Sequence, residues 1–345
     1  IPNLILKNHD SYIYLICHSF SEIFKYEHLN LMKTIPGGKF IKGVNDPKSD
    51  SGEYPLQHAE VKTYYLDLYP VSNAQYFKFA LEKKKYKTTA ERKGWSWVFE
   101  KFLSEKYRSI MKTKIDDAWW IKVKGSRWDR PEGIDSSVLR RLDHPVVHIS
   151  MDDAQTFCKW AGKRLPTEDE WEFAARGGIY QADYPWGEKY KRNRTNLWQG
   201  KFPRENMLAD DWEGTAPVNY YKPQNEYYMY DMIGNVWEWT SDRYYERVVP
   251  RELQEEMYVL KGGSYLDTRD GSANHIVRNS QRMGAVRDYT AHNVGFRCAK
   301  SAKAYWKKHN HKFPERPYVG RYGHLVKDKK KTIHRAPRKH VKDEL

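Results

Sequence analysis

The period of apolar and polar positions changes several times along the chain, and each change marks an element. Met32 to Phe40, MKTIPGGKF, turns at Gly37-Gly38 into a short predicted strand, and Val61 to Leu68 alternates closely enough to predict another. From Ser72 the period becomes helical. Ser72 stands as an N-cap, Gln75 follows three residues later as its capping-box partner, and Ala74, Phe77, Ala80 and Leu81 supply an apolar face. The same opening recurs where Ser150 and Asp153 precede AQTFCKWAG, and where Thr167 and Glu170 precede WEFAARGG. Gly162 to Pro166, GKRLP, breaks the pattern between these two predicted helices.

No period persists between about 83 and 143, a charged stretch holding Trp95, Trp97, Trp119, Trp120 and Trp128. Aromatics at this density more often pack a loop-rich surface than hold a cofactor. Short strands, separated helices and long irregular connections predict an α+β class with little regular secondary structure. A chain of 345 residues can bury a sizeable core in one large domain or two ordinary ones, and it contains no repeat. Runs of apolar residues long enough to span a bilayer are absent, so no membrane span is expected.

Charge narrows the partners. Of the formal net charge of +15, residues 301–345 contribute +10, with 14 Lys/Arg against 4 Asp/Glu. That basic tail includes Trp306, Tyr318 and Tyr322 but carries no nucleic-acid fold signature, so it reads as a solvated extension and no nucleic-acid partner is expected. Lys342, Asp343, Glu344 and Leu345 match the receptor-read retrieval signal of the endoplasmic reticulum, which works only at a free C-terminus. The lumen of that compartment is therefore the expected location, and the sequon Asn193-Arg194-Thr195 agrees with a glycoprotein on the secretory route. Entry there calls for a signal peptide, whereas the sequence begins at Ile1 with no initiator Met, basic n-region or small-residue cleavage site. Residues 1–30 are left as an uncertain segment without assigned function. Cys17, Cys158 and Cys298 complete the cysteine inventory, and an oxidising compartment permits a bridge.

The most informative stretch runs from Gly262 to Cys298. Gly262-Gly263-Ser264 and Gly295-Phe296-Arg297-Cys298 resemble the bracket that closes the formylglycine-generating enzyme, or sulfatase-modifying factor, family. Active members of that family carry their first redox cysteine three residues after the Ser and the second five further on, positions filled here by Asp267 and Ser272. The string Asp267 to His275, DTRDGSANH, is similar to that of the family's non-catalytic paralogue branch. The active enzyme oxidises a substrate cysteine with a thiolate pair that binds copper(I), an ion suited by soft sulfur and not by a carboxylate and a hydroxyl. No copper is expected. Asp267, Ser272 and His275 also form a local Ser/His/Asp set, but the preferred reading is a turn in which the Asp270 side chain bonds nearby amides and Gly271 supplies positive φ.

The resemblance begins at Met32 and runs to Lys300, implying one sulfatase-modifying factor domain over 31–300, followed by the basic tail over 301–345. It implies a fold related to C-type lectin-like domains, with the Cys158 to Trp171 helices packed under the cleft, and it pairs Cys158 with Cys298 as a disulfide. A second family bridge near the site is lost, its first half falling at Ala175. It further implies structural calcium held by Asn196, Leu197, Asp210 and Trp212, and by Asp231, Gly234, Val236 and Glu238, where hard oxygen donors suit that ion. The implied cleft lies beside Ser264, Asp267 and Ser272, with Arg282 as a polar wall residue, while Ala285 and Val286 depart from the family's usual Asn-Thr.

The expected function is that of a pseudoenzyme in sulfatase maturation, binding sulfatases or the active enzyme and restraining formylglycine formation. Either a homodimer or a heterodimer is compatible with that role. Two alternatives stay open at this point: an enzyme with residual or different oxidase chemistry, and a lectin-like glycan-binding module resting on fold analogy.

Overall fold

The computed structural model describes residues 25–49, 51–111, 119–246 and 250–302. Cys17, the basic tail and the retrieval tetrapeptide lie outside the described residues. Strands β1 (Met32–Ile35), β2 (Gly38–Lys42), β3 (Gln57–Val61) and β4 (Tyr64–Asp67) form two linked antiparallel ladders, β1 on β4 and β2 on β3. The continuous strand expected from Val61 to Leu68 is therefore divided at Lys62-Thr63. The reason lies opposite it. Pro36 has no N–H to donate to a ladder, and Gly37 approaches the facing chain so closely that a Cβ there would lie 2.7 Å from the Thr63 nitrogen.

The three capping boxes are formed as the spacing predicts. They open α1 (Asn73–Glu82), then α4 (Met151–Trp160) and α5 (Glu168–Arg176), each with the hydroxyl accepting from the third backbone N–H and that residue's side chain answering. The buried face of α1 differs from the expected one. Ala74 is buried as predicted, but Tyr76 and Phe79 fill the core, whereas Phe77, Ala80 and Leu81 are half-buried. Tyr76 stacks on Phe157 of α4 at 5.6 Å and Phe79 meets the same ring edge-on at 5.5 Å. Aromatic packing against α4 thus sets the helix's rotation.

The Trp-rich stretch is more regular than expected. After the short helix α2 (Thr89–Lys93), Gly94 turns at φ +74° into a hairpin of β5 (Trp95–Phe99) and β6 (Trp120–Lys124), with α3 (Glu105–Met111) between the strands. Val98, Ile121 and Val123 face inward with Leu103, while the Lys122 ammonium lies over the Trp95 and Trp97 rings on the outer face. Trp128 is buried in the main core.

A four-stranded sheet carries the site. Its order is β10 (Val294–Gly295), β7 (Trp237–Tyr244), β8 (Met257–Lys261) and β9 (Arg282–Val286), with β10 parallel to β7 and the rest antiparallel. Last in sequence, β11 (Ala299–Ser301) returns to pair with β4. The main core, including Trp237, Trp239, Leu260, Val294 and Phe296, lies between this sheet and helices α1 and α4. Cys158 of α4 is disulfide-bonded to Cys298, the pairing that the resemblance implies.

Candidate functional site

Where β8 ends, Gly262 turns at φ +97°, and a Cβ there would lie 2.8 Å from the Met232 carbonyl oxygen, a conformation and an approach that call for glycine. The turn delivers Ser264, Tyr265 and Asp267 to the buried edge of the sheet. Asp267 is only 1% exposed, and its carboxylate gathers donors from three segments. Oδ2 accepts from the Trp237 indole Nε1 at 2.9 Å, from the Ser264 backbone N–H at 2.8 Å and from the Ser264 hydroxyl at 2.6 Å. Oδ1 accepts from Asn274 Nδ2 at 2.9 Å. Burial pushes the Asp267 pKa up to about 6, against the pull of those donors.

Two neighbours of the closing motif hold the same turn. Asn293 Nδ2 donates to Ser264 Oγ at 2.9 Å, and His292 Nδ1 lies in a 2.5 Å hydrogen bond with the Tyr265 hydroxyl. Behind His292 stands Glu132, 3.3 Å from Nε2, with its carboxylate clamped by Arg141 at 2.6 and 2.8 Å. Burial alone would raise the Glu132 pKa, but His292 and Arg141 hold it well below the usual carboxylate range. Sequence reasoning missed Trp237, His292, Asn293, Asn274, Glu132 and Arg141 as part of this frame. Only the closeness of His292 and Asn293 to the Gly295 motif offered a signal.

Ser272 is exposed and belongs to the turn expected of Asp270-Gly271-Ser272. Its N–H donates to Asp270 Oδ1 at 3.1 Å, its hydroxyl lies 2.8 Å from that oxygen and 3.0 Å from Thr268 Oγ1, and Gly271 adopts φ +76°. A serine whose hydroxyl is engaged by a carboxylate and a threonine in its own turn is not oriented as a nucleophile beside a base. Arg282, expected at the cleft wall, is the first residue of β9 and faces Lys261. Its guanidinium pairs with Glu168 at 2.8 Å, donates to the Gly52 carbonyl at 3.2 Å and lies 4.9 Å from the Tyr244 ring, so its recorded partners belong to the α5 end of the sheet.

The two sets of oxygen donors differ in their fit to calcium. In the first, Asn196 Oδ1 is buried without a hydrogen-bond partner, and burial pushes the Asp210 pKa up to about 6. An unmatched acceptor beside a desolvated carboxylate suits a hard cation, to which Leu197 and Trp212 would add only carbonyls. Their N–H groups donate to Asp210 at 3.0 and 3.4 Å and hold the loop in place. In the second set, Asp231 is likewise desolvated, its pKa pushed up to about 7, and accepts from Asn235 Nδ2 at 2.8 Å. Glu238, however, is taken by Arg297 and by the Trp171 indole, which leaves Asp231 and the carbonyls of Gly234 and Val236 as the donors there. Among the described residues no three acidic, His or Cys side chains gather into a metal-binding group, so amide and carbonyl oxygens would have to complete either shell.

Asn193 is exposed in a single 3₁₀ turn, while the Thr195 hydroxyl of its sequon is buried and donates to the Ile233 carbonyl at 2.6 Å. No helix among the described residues is long and apolar enough to cross a membrane.

Residues 20–302 match the model of the sulfatase-modifying factor enzyme 1-like domain. The chain is 46% identical over 272 residues to the inactive Cα-formylglycine-generating enzyme 2 of Bos taurus, covering 79% of this chain and 88% of that one. It is also 43% identical over 286 residues to the formylglycine-generating enzyme of Mus musculus, covering 79% and 75% respectively. Among solved structures, PvdO of Pseudomonas aeruginosa superposes with a TM-score of 0.53 at 20% identity, over 78% of this chain and 94% of that one, which supports the shared fold.

Proposed function

Since the chain belongs to the sulfatase-modifying factor family, we propose that it is a member without formylglycine-generating activity, acting by binding rather than by oxidation. One observation carries this reading: the two positions that hold reactive sulfur in active relatives hold a buried carboxylate with four bonds and a turn serine. Neither binds copper(I), and the cysteines of the described domain, Cys158 and Cys298, are joined to each other.

The role that fits such a protein is restraint of sulfatase maturation. It binds sulfatases, or the active enzyme, in the lumen of the endoplasmic reticulum and limits formylglycine formation. The retrieval tetrapeptide Lys342 to Leu345 and the exposed Asn193 support the location. Calcium at Asn196, Leu197, Asp210 and Trp212 steadies the loop beside β7, and a second ion at Asp231, Gly234, Val236 and Glu238 is the less well matched of the two. The frame of Ser264, Asp267 and Ser272 lines the cleft that engages an extended peptide, through backbone hydrogen bonds and shape.

Mass spectrometry of a sulfatase-derived cysteine peptide, incubated with the protein, oxygen, copper and reductant beside an active relative, tests the catalytic half. No conversion is expected, and conversion to formylglycine would overturn the reading. Capture by tagged protein from the lumen tests the binding half: recovery of neither sulfatases nor the active enzyme above control would sink it.

A further inference from the structure

The thiol position in this chain is filled, and its occupant organises the residues around it. Ser264 has a single hydroxyl proton, and it donates that proton to Asp267 Oδ2 at 2.6 Å, because an ionised carboxylate can only accept. Ser264 Oγ must then accept from Asn293, whose Nδ2 lies at 2.9 Å. Asn293 Oδ1 is in consequence the other end of the amide, and it is buried without a partner. The same carboxylate orients the Trp237 indole from β7 and the Asn274 amide, a residue held at φ +81°.

We propose that Asp267 is the positioning residue of the cleft frame: its carboxylate anchors the Trp237 indole and sets the hydrogen-bond polarity of Ser264, Asn293 and Asn274, leaving Asn293 Oδ1 as the buried end of its amide. Protonating Asp267 removes the reason for the polarity. A neutral carboxylic acid carries its own donor, Ser264 is released to donate towards Asn293, and that amide is free to turn over. This inference concerns the frame alone and holds whichever partner the protein engages.

The ionisable groups facing Asp267 are few. His275 follows on the same segment and favours the charged form. Tyr265 precedes it, and Tyr289 lies beyond β9; the Asp267 charge raises the pKa of both phenols, for which burial is the larger cause.

The test follows the side chains by NMR in the whole protein labelled with ¹⁵N. The Trp237 indole and the Asn274 amide, assigned with Trp237→Phe and Asn274→Ala, are expected to shift with pH and to share one midpoint. The midpoint should survive His275→Gln and disappear in Asp267→Asn. Amide exchange over residues 264–274 in Asp267→Asn is expected to rise by at least about tenfold, as a local opening would produce. Where Asp267→Asn does not fold, Ser264→Ala supplies the decision: with one bond to the charged form lost, the midpoint must move upward. Separate midpoints in the two resonances, a titration lost with His275→Gln, or an unmoved midpoint in Ser264→Ala would each overturn the proposal.

Discussion

Arg297 grips both oxygens of the Glu238 carboxylate, with Nε 2.6 Å from Oε2 and Nη2 2.7 Å from Oε1, and both side chains are essentially inaccessible to solvent. The remaining guanidinium protons go to the carbonyls of Asp67, Leu68, Tyr230 and Asp231, so one side chain ties β7, the closing motif and the loop before it. Breaking a buried pair strands the surviving charge. Arg297→Leu is therefore expected to lower unfolding stability by about 3–5 kcal/mol in chemical denaturation, with Glu238→Gln comparable because it leaves the Arg297 charge unpaired and sets the amide NH2 against a donor. A loss below about 1 kcal/mol for Arg297→Leu would mean that the pair contributes little.

The disulfide closes a loop spanning 140 residues between α4 and the end of the closing motif. Replacing both partners, Cys158→Ser with Cys298→Ser, is expected to cost about 2–5 kcal/mol, mainly by freeing the unfolded chain. Equal denaturation midpoints with and without the bond would contradict this.

Asp267 and Asp231 are fully buried carboxyl groups whose pKa values burial raises to about 6 and about 7, from an ordinary 3.8. An acid with a folded pKa above its unfolded value binds its proton more readily when folded. The stability it contributes is complete below the unfolded value and is lost as pH rises through the folded one. Relative to Asp267→Asn, the wild-type protein should therefore gain stability on acidification from about pH 7.5 to about pH 5, by on the order of 1.4 kcal/mol; buried His144 and His148, whose pKa values burial lowers, act in the opposite direction in both proteins. A stability difference between wild type and Asp267→Asn that stays constant over the same window would exclude the effect.

At the proposed site calcium would act in the opposite direction on Asp210, whose pKa burial raises to about 6. A bound cation favours its charged form and stabilises only the folded protein. Saturating calcium should raise the melting temperature at pH 7.5 and give a smaller rise at pH 5, and Asp210→Asn should remove most of the difference. An equal response in wild type and Asp210→Asn would place the ion elsewhere.

The turn before His275 separates two neighbouring substitutions. Ser272→Ala alters an exposed side chain and should stay within about 0.5 kcal/mol of wild type. Gly271→Ala should cost more, on the order of 1 kcal/mol, because the residue sits at φ +76° and a Cβ would lie 3.0 Å from the Ile276 nitrogen. Thermal melts of the two variants that fail to separate would show that the turn is not fixed.

What the sequence made legible was local. Ser72 and Gln75, Ser150 and Asp153, and Thr167 and Glu170 stand three residues apart, close enough for each capping box to be read directly from the chain. The Asp270-Gly271-Ser272 turn was legible for the same reason. Family resemblance supplied one long-range contact, the Cys158–Cys298 bond. The partners of Asp267 were not legible. Trp237 is 30 residues away, and the Ser264–Asn293 bond spans 29, so only the folded sheet brings them together. Arg282 was legible only as a motif position, and its partners, Lys261 opposite it on β8 and Glu168 beside it, were not. The β5–β6 hairpin escaped notice because its strands alternate aromatic with small or aliphatic residues and lysine, which masks a period of two.

The central strand β4 has β1 on one side and β11 on the other, so that Leu66 pairs with both Lys33 and Ala299. During synthesis the first partner emerges from the ribosome beside β4, and the second only after more than two hundred further residues have followed. This sheet therefore cannot be completed until the last of its strands has been made. Cys298 arrives with the same final stretch, directly before β11. The Cys158 bond and the third strand of the sheet therefore wait on the same few residues, and a chain cut short before Cys298 would lack both.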